Sequence, residues 1–242
     1  MSKLISLSEY TRKMKIVIRN DCELIEKTQI IPNVYFLKYS FGPGLEWIPG
    51  QYVGITVNPT YRRSYSILDY DGQNLSFLID TKPGGIASKF FDSVEVGHKN
   101  QILGPYGRFI LQNTVNEKVF VSTGTGIAPF IPMIKELRNS NLKIRIKIFS
   151  GSKTQDEDIA FRFVKQYLND KFEYHQCITR EEPKAVSSKL ITHKGRVTEV
   201  IPQQNLDWQS TEFYICGSPA MVRDTEKVLK DLGTEKVFIE QF

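Results

Sequence analysis

Cysteine is scarce: Cys22, Cys177 and Cys216 stand far apart and odd in number. A disulfide framework is therefore not expected, and no spacing offers the thiolate set of a zinc site or an iron–sulfur cluster. Long apolar runs are missing too. Nothing approaches the ~20 consecutive apolar residues of a membrane-spanning helix, and residues 1–15 carry charges inside their short apolar stretches, which excludes a signal-type segment from the reading. Neither sign of charge dominates, since 32 Lys and Arg against 27 Asp and Glu leave +5, and so small an excess does not argue for nucleic acid. Histidine is limited to His98, His175 and His193, isolated in sequence and read as solvated surface residues without a catalytic part. No internal repeat is visible at periods of ~20 to 50 residues. The absences together describe a soluble protein of the cytoplasm, a reducing compartment.

What is present points to two domains. A chain of 242 residues has room for two at ~150 residues each, and its texture changes near residue 112. Before that point short β-rich runs at 15–19, 34–39, 52–57, 64–68 and 75–80 are separated by Gly and Pro turns, the pattern of an antiparallel barrel or sandwich. The polar stretch Gln112-Asn113-Thr114 is the expected hinge, so the domains are 1–112 and 113–242. Beyond it, strands at 119–121, 144–149, 172–178, 213–215 and 236–240 alternate with helical patterns to about 137 and over about 220–232, the signature of a parallel α/β sheet. The alternation of Lys143, Arg145 and Lys147 gives 144–149 one wet face or a place near an edge.

The distinctive loops fall at strand carboxyl ends, where open α/β sheets take their ligands. Val119-Phe120-Val121 runs through Thr123 into Gly124-Thr125-Gly126-Ile127-Ala128-Pro129 and a helix. Glycines there let backbone N–H groups approach an anion, the helix N-terminus adds partial positive charge, and Pro129 suits the first turn because its missing N–H costs nothing there. A pyrophosphate is the natural guest, although Pro129 stands where the dinucleotide fingerprint has its third glycine. Upstream, Arg63-Ser64-Tyr65-Ser66 sets a guanidinium, an aromatic ring and a hydroxyl within two strand repeats, with Arg63 and Tyr65 sharing one face and Ser66 turned to the other. A flavin dinucleotide needs those three chemistries for its pyrophosphate, its ring and its N5 edge.

Six motifs in order carry a resemblance over nearly the whole chain: Pro49-Gly50-Gln51-Tyr52, Arg63-Ser64-Tyr65-Ser66, Gly85-Ile86-Ala87-Ser88, Gly104-Pro105-Tyr106-Gly107, Gly124-Thr125-Gly126-Ile127-Ala128-Pro129 and Cys216-Gly217-Ser218-Pro219. In that order they resemble the ferredoxin-NADP+ reductase superfamily of flavoproteins. The resemblance implies an N-terminal antiparallel Greek-key β-barrel that binds FAD and a C-terminal doubly wound α/β domain, a five-stranded parallel sheet, that binds NAD(P), with the flavin ring at their junction. It implies Arg63 on the flavin pyrophosphate, Ser64 beside it, Tyr65 against the ring, Ser66 at N5, and Gly85, Ile86, Ala87 and Ser88 as a second phosphate clamp. That second clamp favours FAD over FMN.

On the nicotinamide side the likeness implies Thr123, Gly124, Thr125, Gly126 and Pro129 at the dinucleotide pyrophosphate, and Cys216 and Gly217 beside the nicotinamide. Glu240 and Phe242 resemble the acidic residue and closing aromatic of the family's C-terminus. Ser66, Cys216 and Glu240 are thus the expected catalytic residues, with no metal. Ser152, Lys153, Arg180 and Arg196 stand where related reductases hold an adenosine 2′-phosphate, which favours NADPH, while Asp156, Glu157 and Asp158 close behind could serve the free hydroxyl of NADH. The expected activity is hydride transfer from NADPH or NADH to FAD, then electron delivery to a separate acceptor such as ferredoxin or flavodoxin. A free-flavin or ferric reductase and a non-catalytic flavin-binding redox sensor stay open as alternatives. A monomer is compatible with the sequence.

Overall fold

The computed structural model describes residues 17–140, 142–184 and 190–241. Contacts divide the chain into two compact units, Met1–Asn113 with Ala128–Ser140, and Thr114–Ile127 with Asn141–Phe242.

In the first unit the strands are β1 (Ile18–Ile31), β2 (Val34–Ser40), β3 (Tyr52–Asn58), β4 (Tyr61–Ser66), β5 (Asp69–Tyr70), β6 (Asn74–Asp80) and β7 (Lys99–Tyr106), with helix α1 (Ile86–Ser93) between the last two. They pair antiparallel in the order β4-β3-β7-β1-β2-β6-β5. β4 also approaches β6, so the sheet curls into the barrel-like form that the spaced β-rich runs imply. Inward positions at every second residue, Leu37 and Tyr39 on β2, Val53 and Ile55 on β3, Leu75, Phe77 and Ile79 on β6, fuse into one apolar core. β1 extends far beyond the expected 15–19, of which 15 and 16 lie outside the described residues. Cys22 and Leu24 are buried between exposed Asp21 and Glu23, but a register shift between Leu24 and Glu26 breaks the alternation, so the rest of the strand does not read as one in sequence. Ile31 pairs with Val34 across a two-residue turn in which Asn33 adopts φ 65°, a conformation Asn tolerates better than other non-glycine residues. Helix α2 (Phe130–Asn139) belongs to this unit by contact: the Phe130 ring lies 5.9 Å from that of Phe109, and Lys135 pairs with Asp69 at 2.9 Å.

The second unit holds β8 (Lys118–Thr123), β9 (Ile146–Ser152), α3 (Ile159–Val164), β10 (Phe172–Ile178), β11 (Leu190–Lys194), α4 (Val197–Val200), β12 (Glu212–Cys216), α5 (Pro219–Asp231) and β13 (Val237–Glu240). Its sheet is wholly parallel in the order β11-β10-β9-β8-β12-β13. The sheet has six strands rather than the expected five. The extra one, β11, is a five-residue edge strand with Thr192, His193 and Lys194 in it, too polar and short to announce itself. β9 begins at Ile146 and lies inside the sheet, which corrects the reading of 144–149 as near an edge. Lys143 and Arg145 are exposed just ahead of the strand, the wet face of the expectation, whereas Lys147 is half-buried and pairs with Glu173 of β10 at 3.0 Å.

Two histidines also depart from expectation. His98 is exposed, but His175 is only 2% exposed, stacked on Phe149 at 4.3 Å, with Nδ1 3.0 Å from Nε2 of the half-buried His193. Burial first, then the neighbouring His193, pushes His175 down to about 4, so it is neutral at pH 7. At the amino ends of β8 and β12, Lys118 Nζ donates to Glu212 Oε2 at 2.7 Å with both side chains buried, and Tyr214 OH donates to the same carboxylate oxygen at 2.8 Å. Among the described residues no helix is long and apolar enough to cross a membrane.

Candidate functional site

In the first unit, β4 and the start of α1 assemble one candidate site. β4 pairs with β3 so that Arg63 lies opposite Ile55 and Tyr65 opposite Val53, while Ser64 faces Gly54 and Ser66 faces Tyr52. The alternation expected of the tetrad is therefore realised. Arg63 is exposed at the rim, Tyr65 is half-buried and Ser66 is buried. The Tyr65 ring meets Phe91 of α1 edge-on, 5.3 Å between centroids at 90°. Burial pushes its hydroxyl well above the ordinary tyrosine range, against the pull of the Arg63 charge. Phe91 lies one turn beyond Ala87, so this contact ties the strand that carries Arg63 to the helix whose first turn is Ile86, Ala87 and Ser88.

That first turn leaves its N–H donors uncapped by any side chain. Gly85 is the N-cap in extended conformation with no side chain to accept from the orphan N–H groups, and no acidic residue occupies the first turn. A Cβ on Gly85 would meet nothing within 4 Å, so the approach to those donors is open. Ser88 is buried beneath them and Ile86 exposed. The donor set, uncapped helix N–H groups plus a guanidinium, fits a phosphate-bearing group.

In the second unit the carboxyl ends of all six strands fall in one line. Cys216 pairs in register with Ser122 on one side and Glu240 on the other, Thr123 with Gly151, Ser152 with Ile178, and Ile178 with Lys194. The chain leaves β8 for β9 on one side and later returns to place β12 on the other, so the switch point of the sheet lies between β8 and β12. There the two loops touch through main chain. A Cβ on Gly126 would stand 2.2 Å from the Cys216 carbonyl oxygen, and one on Gly217 2.4 Å from Thr123 Oγ1. Ser218 N donates to Thr123 Oγ1 at 3.0 Å. Only glycine permits this apposition. Gly124 is exposed, Thr125 half-buried, and Pro129 is buried at the N-cap of α2, one residue ahead of the helix it was expected to open.

Beside this cradle, Cys216 is buried and its thiol is pushed up, by desolvation first and by the Glu240 charge second. Burial likewise pushes the Glu240 carboxyl up to about 8, and its Oε2 has no hydrogen-bond partner among the described residues. A folded-state carboxyl raised from 4.5 to about 8 favours the protonated form, so its contribution to stability is present below the ordinary carboxylate range and is lost as pH rises toward 8. Relative to the native chain, Glu240→Gln is therefore expected to gain stability progressively between those pH values; parallel urea titrations from pH 5 to 9 check it, and a constant difference would refute the burial argument.

Lys153 is half-buried and Arg180 and Arg196 are exposed at the ends of β9, β10 and β11, and Arg180 N donates to Lys153 O at 2.9 Å. Arg196 caps α4, its N–H donating to Glu199 Oε2 at 2.8 Å. Ser152 Oγ donates to Thr154 O at 2.7 Å. Asp158 does not stand ready for a ribose hydroxyl, which corrects that expectation: it is 3% exposed and accepts from Ser150 Oγ, Tyr174 OH and Gln176 Nε2 at 2.9, 2.6 and 2.9 Å. Asp156 and Glu157 are exposed. Phe242 lies outside the described residues. Gln155, the hub of the loop after β9, escapes sequence reasoning because a glutamine in a polar loop carries no distinguishing signal.

Residues 21–110 match the family described as oxidoreductase FAD-binding domain, and residues 120–227 match oxidoreductase NAD-binding domain. The toluate 1,2-dioxygenase electron transfer component of Pseudomonas putida is 30% identical over 79% of this chain and 56% of its own length. The reductase component, ferredoxin–NAD(P)(+), of a naphthalene 1,2-dioxygenase system from the same species is 26% identical over 85% of this chain and 63% of its own. A crystal structure of a ferredoxin NADP+ reductase from Neisseria gonorrhoeae with bound FAD and NADP superposes with TM-score 0.78 at 20% identity, covering 92% of this chain and 98% of that one. The chain spans between 49% and 63% of the length of these and similar curated relatives.

Proposed function

Since the chain belongs to the ferredoxin reductase-like family of oxidoreductases, with an FAD-binding domain followed by an NAD-binding domain, we propose that it accepts hydride from a reduced pyridine dinucleotide and passes the electrons to a separate redox protein. FAD supplies, when bound, the capacity to take hydride and release electrons one at a time. In this reading residues 1–112 bind FAD and residues 113–242 bind NAD(P). Arg63, with Ser64 beside it, holds the flavin pyrophosphate, Gly85, Ile86, Ala87 and Ser88 the second phosphate contact, Tyr65 walls the ring, and Ser66 hydrogen-bonds the N5 edge.

The observation that carries the nucleotide half is the main-chain cradle at the switch point, where Thr123, Gly124, Thr125 and Gly126 meet Cys216 and Gly217. Backbone N–H groups there suit a pyrophosphate. Beside them the unsatisfied Glu240 Oε2 is an acceptor that a nicotinamide carboxamide N–H would satisfy, and Cys216 keeps the ring's reacting edge dry. Pro129 fixes the helix start, and Phe242 is assigned the closing aromatic. Lys153, Arg180 and Arg196, with Ser152, favour NADPH over NADH, since Asp158 is engaged elsewhere.

The curated relatives named above are electron-transfer and reductase components, which supports a ferredoxin, a flavodoxin or another redox protein as acceptor. The three buried cysteines of this chain, none of them bridged, suit the cytoplasm. Purified protein is expected to be yellow, to release FAD on denaturation, to bleach anaerobically with NADPH, and then to reduce ferredoxin or flavodoxin faster than free riboflavin. A colourless protein that takes up no FAD refutes the reading, and faster turnover with riboflavin turns it into a free-flavin reductase.

A further inference from the structure

Five strands of the second unit bring polar side chains into one row. Register sets Gln176 beside Ser150, Ser150 beside Ser122, Ser122 beside Cys216 and Cys216 beside Glu240. Neighbours in register share a face of a sheet, and strand side chains return to that face every second residue. Two residues earlier on β8, β12 and β13, the Phe120 ring lies 5.3 Å from that of Tyr214 and the Tyr214 ring 5.0 Å from that of Phe238, which puts Ser122, Cys216 and Glu240 on the same face as these rings. Gln176, Ser150, Ser122 and Cys216 are each no more than 3% exposed.

The half of the row on β9 and β10 is closed upon itself. Ser150 Oγ and Gln176 Nε2 both donate to Asp158, each at 2.9 Å, and Gln176 Oε1 accepts from Gln155 Nε2 at 3.2 Å, an amide that is also paired with the main chain of Lys184. The other half is left open. Ser122 Oγ and Glu240 Oε2 are buried with no hydrogen-bond partner among the described residues, and they flank the Cys216 thiol from its two neighbouring strands. A hydroxyl shut away from water without a partner is costly, and native proteins keep few of them. Adjacent strands lie ~4.8 Å apart, so the two oxygens hang from strands about 9.6 Å apart, a span that a planar amide hydrogen-bonded at each end at about 2.9 Å can cross.

We propose that Ser122 completes the nicotinamide pocket, its O–H donating to the carboxamide carbonyl oxygen while Glu240 Oε2 accepts from the carboxamide N–H and Cys216 lies between them. The contact rests on the reading of Cys216 and Glu240 as nicotinamide residues. Both ends of the amide are then held, and with them the plane of the ring that carries the reacting carbon.

Anaerobic stopped-flow reduction of the flavin-loaded protein tests it, using whichever of NADPH and NADH reacts faster and the reduced thionicotinamide analogue of the same dinucleotide, whose sulfur accepts hydrogen bonds weakly. Ser122→Ala is expected to slow hydride transfer from the natural dinucleotide about fivefold, the scale of one neutral hydrogen bond, and transfer from the analogue less than about twofold. Intrinsic differences between the two reductants cancel in that cycle. Ser122→Cys, of similar size with a weaker donor, is expected to fall between the native chain and Ser122→Ala. The urea stability of the Ser122→Ala apoprotein is expected to equal or exceed that of the native apoprotein, because no bond within the protein is lost, whereas a serine with a purely structural part would cost stability. Equal slowing with both dinucleotides, no slowing, or a less stable apoprotein overturns the contact while leaving Cys216 and Glu240 in the pocket. A native chain that takes hydride from neither NADPH nor NADH refutes the proposed function and this contact with it.

Discussion

Lys118→Met lowers the unfolding free energy by about 3–5 kcal/mol, the typical result of removing one partner from a buried ion pair. Lys118 and Glu212 have no exposed surface to speak of, and the carboxylate is held by Lys118, Tyr214, Thr114 and Asn116. Desolvation pushes Glu212 up, but the hydrogen bonds from Lys118, Thr114 and Tyr214 outweigh it and hold its carboxyl below the usual range. Without the ammonium, that anion is left in a dry site with neutral donors only. Lys118→Met with Glu212→Leu is expected to recover most of the loss, because two apolar side chains need no compensation there. Urea denaturation followed by circular dichroism checks both variants; a single variant as stable as the native chain would mean that water reaches the pair. The sign with pH follows: a carboxyl held low stabilises above the ordinary carboxylate range, and that contribution is lost as pH falls through its depressed value.

Arg63→Ala weakens FAD retention about 10- to 100-fold, the equivalent of one charge-assisted hydrogen bond at about 1.5–3 kcal/mol. Since Arg63 is exposed on β4 and is not part of the apolar core, the far-ultraviolet dichroism and melting of the apoprotein are expected to stay within error of the native chain. Equilibrium dialysis or fluorescence titration of apoprotein with FAD reads the affinity. Unchanged affinity removes Arg63 from the flavin site. A parallel drop in apoprotein stability would make it a structural residue of the barrel instead.

Strong alternation made much of the fold legible. Leu75, Phe77 and Ile79 or Val53 and Ile55 announce a half-buried strand because every second side chain must leave water. β10 was readable to the residue for a different reason: Phe172, Tyr174, Cys177 and Ile178 mark a strand that is buried almost throughout, even though Glu173, His175 and Gln176 interrupt its apolar residues. β11 was not readable, because an edge strand with three polar residues satisfies its backbone through one neighbour and needs little apolar surface. His175 misled for a related reason. An imidazole inside a strand looks the same in sequence whether it faces water or lies against Phe149 and His193. At the candidate site the glycine loops were legible because close main-chain approach admits one residue type. The hydrogen bonds of Gln155 and Asp158 were not, because an amide or a carboxylate in a polar loop is compatible with either solvent or a buried partner, and only the third dimension distinguishes them.

The contact of Gly126 with the Cys216 carbonyl and of Gly217 with Thr123 means that the floor of the cradle is made of backbone and one side-chain hydroxyl, that of Thr123. Its main-chain part presents the same chemistry whatever side chains surround it, and the Thr123 hydroxyl is a side-chain group that substitution there can exchange. Under the proposed function, engineering has separate handles: the Gly126 and Gly217 loops for grip on the dinucleotide, and the residues that follow β9, β10 and β11 for choice among dinucleotides.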